Sequence, residues 1–218
     1  MVLYDFCDTL FKGNTTRRFC SFVCRKRGIL YSLRYIILRG VAFFGRRIQQ
    51  VDDLQYMRLI IFSLHGLSEE KLTLNAKEFM NELLHEPTLP AFEKLKRDLD
   101  AGCYVVIISF TLQLILDAFK SQFSDVQAYG NRLTFDVVGN CTGKYGDMIQ
   151  FIGKRAFLLN KYPADELKSA TFYTDDKEAD ADLLDYVKNP HLIPVRTQPK
   201  QSIYGRLACI ETLPIEQE

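Results

Sequence analysis

The sequence predicts an α/β fold: a doubly wound parallel sheet interrupted once by an all-helical segment. Three observations carry this reading. Val2-Leu3-Tyr4 and Cys103-Tyr104-Val105-Val106-Ile107-Ile108 are short apolar runs stopped by polar residues, as in strands buried within a parallel sheet. Between them, residues 12–90 carry helical periodicity. After Ala91, helical and strand-like segments alternate.

Each element has a local reason. Gly13-Asn14-Thr15-Thr16 offers a turn and an N-cap, and a helix follows through Phe19, Phe22 and Val23 to Arg27-Gly28. From Ile29 to Phe44 the chain is too apolar for a simple surface helix, yet too charged and short to cross a bilayer. Leu54 to Leu64 and Glu69 to Leu84 read as further helices, the second opened by Ser68; Pro87 and Pro90 close the block. Ala91 to Asp100 is a charged helix stopped at Gly102, and Leu112 to Phe123 is the next helix. Val126 to Val138 alternates around Gly130-Asn131, which predicts a β-hairpin there. Gly143-Lys144 leads into a helix through Ile152, Ala170 to Thr174 is a strand, Leu183 to Val187 a helix, and His191 to Val195 a last strand. Residues 198–218 fit either a short hairpin or an added helix. The whole is a Rossmann-like core with one helical insertion.

At 218 residues and 47% hydrophobic, the chain can bury a real core and is not disordered material. The six cysteines follow no framework spacing, so reduced thiols are expected. The start lacks the basic run of a secretion signal, and no segment has the length and apolarity to span a membrane; a cytoplasmic location is the expectation. The net charge of +1 hides an asymmetry. Residues 12–51 hold ten Lys and Arg and no acid, which leaves 18 basic against 27 acidic residues elsewhere, or −9.

In doubly wound sheets ligands sit in the loops past the carboxyl ends of the strands. Asp5 is the first residue off the first strand, Ser109 ends the strongest one, and Asp175-Asp176 follow another with Asp180 close behind. Three neighbouring carboxylates repel unless a cation compensates, and a hard divalent ion suits oxygen ligands. Each residue also has a bland reading: Asp5 a turn cap, Ser109 a helix N-cap, the acidic group a solvated turn.

Asp5-Phe6-Cys7-Asp8-Thr9-Leu10 resembles the first motif, Asp-x-Asp-x-Thr, of the haloacid dehalogenase (HAD) superfamily of phosphotransferases. The order of elements resembles its phosphoserine-phosphatase-like members, whose helical cap is inserted just after that motif. The resemblance implies a core of residues 1–11 and 91–218 and a cap of residues 12–90. It implies a Mg2+-dependent phosphatase or phosphotransferase that attacks a phosphomonoester with Asp5 to give an aspartyl-phosphate. Ser109 then matches the phosphoryl-binding hydroxyl of the second motif, with Thr111 and Thr9 as helpers. The backbone carbonyl of Cys7 would join Asp5, Asp175, Asp176 and Asp180 around the metal. Asp175 and Asp176 compete for the position of direct ligand. Lys144, after Cys141-Thr142-Gly143, is the candidate for the third-motif lysine, although one common spacing puts Gly146 there.

Cys7 departs from the family, where a second Asp protonates the leaving oxygen and then activates water. A thiol with an ordinary pKa of about 8.5 is a poor substitute. Slow turnover, or a substrate with a good leaving group, is therefore expected.

In the cap, Arg34 and Arg39 are candidates to bind an anionic substrate, either a small phosphorylated molecule or a lipid-linked one. Tyr31, Tyr35, Phe43 and Phe44 among arginines suit a peripheral helix on an anionic membrane; a buried cap helix with solvated arginines is the other reading. The alternative function is a catalytically weak HAD-fold protein that binds a membrane surface or a partner through this basic cap. No nucleic-acid-reading module is present, so no nucleic acid is expected.

Overall fold

The computed structural model describes residues 1–87 and 89–193. Strand β1 (Val2–Tyr4) leads through a tight loop into helix α1 (Thr15–Lys26), where Asn14 caps the amino end by accepting from the Arg17 N–H at 2.9 Å. Helix α2 (Ile29–Arg47) follows after Gly28, and α3 (Asp53–Ile61) opens with a full capping box between Asp52 and Gln55. A 3-10 turn, Phe62–Leu64, and α4 (Glu69–Leu84), capped by Ser68, complete the helical insertion.

Helix α5 (Pro90–Asp100) starts on a proline, whose missing N–H is unpaired in a first turn anyway. It leads to β2 (Val105–Leu112), α6 (Gln113–Lys120) and β3 (Val126–Asn131). The antiparallel pair β4 (Leu133–Phe135) and β5 (Cys141–Tyr145) comes next. Short helices α7 (Ile149–Ile152), α8 (Lys154–Leu159) and α9 (Ala164–Lys168) precede β6 (Thr171–Thr174), α10 (Ala181–Leu184) and β7 (Asn189–Leu192).

Among the described residues the main sheet has five parallel strands in the order β3-β2-β1-β6-β7. Central β1 puts Leu3 on one face and Tyr4 on the other, both wholly buried, and two hydrophobic clusters form accordingly. Leu3 packs with Val106, Ile108, Phe172 and the short helices α8 to α10. Tyr4 belongs to the larger cluster, which runs through α5 and α6 into α1, α3 and α4. Insertion and sheet thus share one continuous core.

The predicted architecture holds, and three local expectations are corrected. The hairpin does not turn at Gly130-Asn131. Both residues end β3 in the parallel sheet, and the antiparallel turn comes later, where the Asp136 carboxylate accepts from the Val138 and Asn140 N–H groups. Gly130 serves close approach instead: a Cβ there would lie 2.7 Å from the Thr111 carbonyl oxygen. Residues 143–152 are not one helix, because Gly143 and Lys144 pair within β5 and only Ile149–Ile152 are helical. Strand β2 does not stop before Ser109 but runs to Leu112, with an irregularity in its pairing after Ile108. Of the expected last strand, Pro194 and Val195 lie outside the described residues, as do residues 198–218.

The region between α1 and α4 was open to two readings. Helix α2 is not buried. Only Tyr35, Ala42 and Gly45 of its residues are, and its large apolar side chains face outward.

Candidate active site at the carboxyl ends of the strands

Asp5 leaves the end of β1, and its N–H still donates to the Tyr173 carbonyl of β6 at 2.9 Å, so its position is set by the sheet. The side chain is buried, with Oδ1 2.7 Å from Nζ of Lys154. The same ammonium contacts Asp180, at 2.7 Å from Oδ1 and 2.8 Å from Oδ2. Only the contact to Oδ2 has hydrogen-bond geometry; that to Oδ1 is a charge contact. Thr174, the last residue of β6, donates to Asp180 Oδ2 at 2.5 Å. Asp5 Oδ2 carries no protein hydrogen bond among the described residues.

Lys154 sits at the start of α8, directly after Gly153, whose φ of +85° is a conformation that favours glycine. Its side chain is 2% exposed, between the rings of Phe110 and Phe172. Burial disfavours the ammonium, but the charges of Asp5 and Asp180 outweigh it and raise the pKa above the ordinary lysine value. One lysine does not fully compensate two buried carboxylates: burial pushes Asp180 up, Lys154 pulls it back, and Asp5 pushes it further.

The loop after β1 is held from inside. Asp8 adopts a φ of +55° and its carboxylate accepts from the Gly13 N–H at 2.6 Å, so it faces its own loop rather than the substrate side. Thr9 is wholly buried; its hydroxyl donates to Asp175 Oδ1 at 3.0 Å and accepts from the Asp175 N–H at 3.1 Å. That pair fixes the first loop to the end of β6. Burial, and then the charge of Asp5, push Asp175 up to about 7, against the hydrogen bond from Thr9.

Cys7 contacts the Thr15 hydroxyl at 3.0 Å, and Thr15 in turn is 2.7 Å from the Thr111 hydroxyl. Burial, and then the negative charge of Asp5, push the Cys7 thiol up to about 11, so it stays protonated at neutral pH. Ser109 and Thr111 are both 1% exposed on β2, and the Thr111 N–H points at Ser109 Oγ at 3.4 Å.

Asp5, Cys7, Thr9, Ser109, Thr111, Asp175 and Asp180 therefore belong to the linked strand ends β1, β2 and β6 and the loops just past them. Four expected residues are not brought there. Asp176 is exposed and accepts from the Glu178 and Ala179 N–H groups, which makes it a turn cap. Lys144 is exposed on β5, and the lysine beside Asp5 is Lys154 instead. Arg34 lies over the Phe62 ring, while Arg39 lines a cleft between α1, α2 and α4. Asp180 is present but spent on Lys154 and Thr174. Among the described residues no three His, Cys, Asp or Glu side chains stand together as a ready metal cage.

Two contributors escaped the sequence reading. Lys154 did so because residues 143–152 were read as one helix, although Gly153-Lys154 ahead of Phe157 and Leu158 carries the signal of a helix start. Asn131 did so because it was read as a turn. It is 1% exposed, donates to the Phe110 carbonyl at 2.8 Å and accepts from the Ile149 N–H at 2.8 Å, tying the segment between Ser109 and Thr111 to α7.

No protein-family model and no curated protein matches the sequence. Solved structures do match. A phosphoserine phosphatase captured as a phospho-aspartyl intermediate analogue superposes with a TM-score of 0.53 at 19% identity, covering 88% of this chain and 84% of that one. The chain has the HAD-type fold of the phosphoserine phosphatases. A probable phosphoserine phosphatase from Vibrio cholerae gives a TM-score of 0.60 at 18% identity over 88% of this chain and 56% of that longer one. A protein of unknown function from Bordetella pertussis Tohama I gives 0.73 at 16% identity, over 88% of both chains. In this fold Asp5 stands at the end of the central strand.

Proposed function

We propose that the protein is a Mg2+-dependent phosphomonoester hydrolase that works through an aspartyl-phosphate on Asp5. The observation that carries this reading is the buried Asp5–Lys154–Asp180 ion cluster at the carboxyl end of a parallel sheet, with Ser109 in the last part of β2 and Asp175 just past β6. Similarity to a phosphoserine phosphatase and to a cytosolic 5'-nucleotidase supports phosphomonoester chemistry in general.

Lys154 occupies Oδ1 of Asp5 and leaves Oδ2 to attack phosphorus. The P–O bond to the leaving alcohol breaks, and the alcohol oxygen takes up a proton. Water then attacks the acyl phosphate, releasing phosphate and restoring Asp5. Ser109 is the hydroxyl available to a phosphoryl oxygen, and Lys154 offsets its negative charge. Mg2+ is commonly held by one or two carboxylates and several waters. Asp5 and Asp175, with the Cys7 carbonyl, fit that set: burial and then the charge of Asp5 raise Asp175, and a bound cation would offset both. Bound there, the ion would neutralise phosphoryl charge.

Cys7 stands where a proton must be delivered, and a thiol at about 11 delivers it poorly. The preferred substrate is therefore an ester whose alcohol leaves without much help, whether a small phosphate or a lipid-linked one. The helical insertion is the cap in this reading. Phosphate release from p-nitrophenyl phosphate with and without Mg2+ tests it: Asp5→Asn should abolish release, and equal rates in the two proteins would reject the reading.

A further inference from the structure

Helix α2 leaves a long apolar face bare. Leu33, Ile36, Ile37, Val41, Phe43 and Phe44 are each 55–66% exposed, and Ile29 and Leu30 at its start are more exposed still. At 3.6 residues per turn these side chains share one side of the helix, opposite the buried Tyr35, Ala42 and Gly45. Arg34 borders the face on one side, Arg39 and Arg46 on the other, Arg46 in an exposed ion pair with Asp53. Beyond Arg39 lies a cleft of about 380 Å³, where Arg17, Arg18, Arg25 and Arg39 outnumber Glu82 and Glu86. No acidic residue occurs from Lys12 to Val51.

We propose that α2 docks the protein flat onto an anionic lipid bilayer, its apolar face among the acyl chains and its bordering arginines at the phosphates. Charge decides the occupant. A stripe of branched aliphatic and Phe side chains edged by arginines suits a surface with an apolar interior beneath an anionic rim. A second copy of the same chain would bring arginine rows against arginine rows. Among the described residues no helix is long and apolar enough to cross a membrane, so α2 lies in the interface. Each arginine near an anionic surface contributes about a fivefold gain in partitioning at low salt, so the border strengthens what the apolar face begins.

The test is sedimentation of the full chain with phosphatidylcholine vesicles, with and without phosphatidylglycerol. Binding should be strong only with the anionic lipid, weaken as salt rises, and drop by about 25-fold for each of Arg34→Glu and Arg39→Glu, since each reversal changes two charges. Ile36→Asp combined with Phe44→Asp should abolish it while circular dichroism stays unchanged, because both side chains are exposed. Asp5→Asn should bind like the parent, so a failed catalytic reading leaves this result standing. No binding to anionic vesicles overturns the proposal, as does full binding by the double Asp variant. A dimer in light scattering that the double Asp variant dissolves, without vesicle binding by the parent, would assign the face to a second copy and also overturn it.

Discussion

The sheet end and helix α2 invert the usual arrangement of a globular protein in opposite ways. At the sheet end, charged groups are buried: Lys154 and Asp180 are at most 2% exposed, and Asp5 is 8% exposed. On α2, large apolar groups are more than half exposed. Burying charge is costly unless every charge has a partner, and exposing a broad apolar face is unfavourable unless something covers it. The buried cluster meets most of its condition inside the chain, through one lysine shared by two carboxylates, and the negative charge left over keeps Asp180 raised. The exposed face has no cover from the chain's described residues. The first offsets its charges largely within the chain, and the second is the face for which a lipid partner is proposed.

Breaking the charge balance at the sheet end should have the largest effect. Lys154→Met keeps most of the side-chain volume but leaves Asp5 and Asp180 buried and unpaired. We expect a loss of about 3–5 kcal/mol in urea unfolding, the range for a buried pair that loses one member. The loss should shrink on acidification, since protonating a carboxylate removes the uncompensated charge. In the protein that remains folded, phosphate release should fall by about 10²–10³, as when a preorganised electrostatic partner is removed. Unchanged stability near neutral pH would mean that the lysine is not what balances the two acids.

Cys7→Asp sharpens the same region in the other direction. If proton delivery limits turnover, the carboxyl should accelerate hydrolysis of alkyl phosphomonoesters by about 10²–10⁴. The rate with p-nitrophenyl phosphate, whose leaving group needs little help, should change far less. Equal acceleration of both substrates would place the defect of Cys7 elsewhere than in proton transfer.

The two regions also differ in how well they could be read in advance. The positions of Asp5 and Asp175 were legible because a parallel strand announces its own end: a buried apolar run stops, and the next polar residue stands just past it; Ser109 instead lies within β2, which runs on to Leu112. Lys154 was not, since its role depends on Gly153 turning the chain at positive φ, and a glycine after apolar residues also suits a helix end. Asp180 could be placed in the cluster but not paired, because spacing shows which carboxylates are near one another, not which one a distant lysine claims. Asn131 carried the composition of a turn, but it pairs with Leu112 of β2 at the end of β3. On α2 the composition was plain while the orientation was not. A dense run of apolar residues is equally suited to a core or to a membrane, and which side packs is decided by helices α1 and α3, not by α2 itself.

The smallest expected effect is the sharpest test of the contrast. Phe119 is wholly buried against Phe6, Phe11, Phe92 and Phe123, so Phe119→Ala should cost about 3–5 kcal/mol in thermal or urea unfolding. Ile37→Ser and Phe43→Ser on α2 remove comparably apolar groups and should change stability by no more than about 0.5 kcal/mol, because those groups are already in water when the protein is folded alone. A cost near that of Phe119→Ala would show that α2 packs against its own chain in solution. A cost that appears only when anionic vesicles are present would place the missing cover in the lipid, since the same side chains would then be buried by the bilayer and by nothing else.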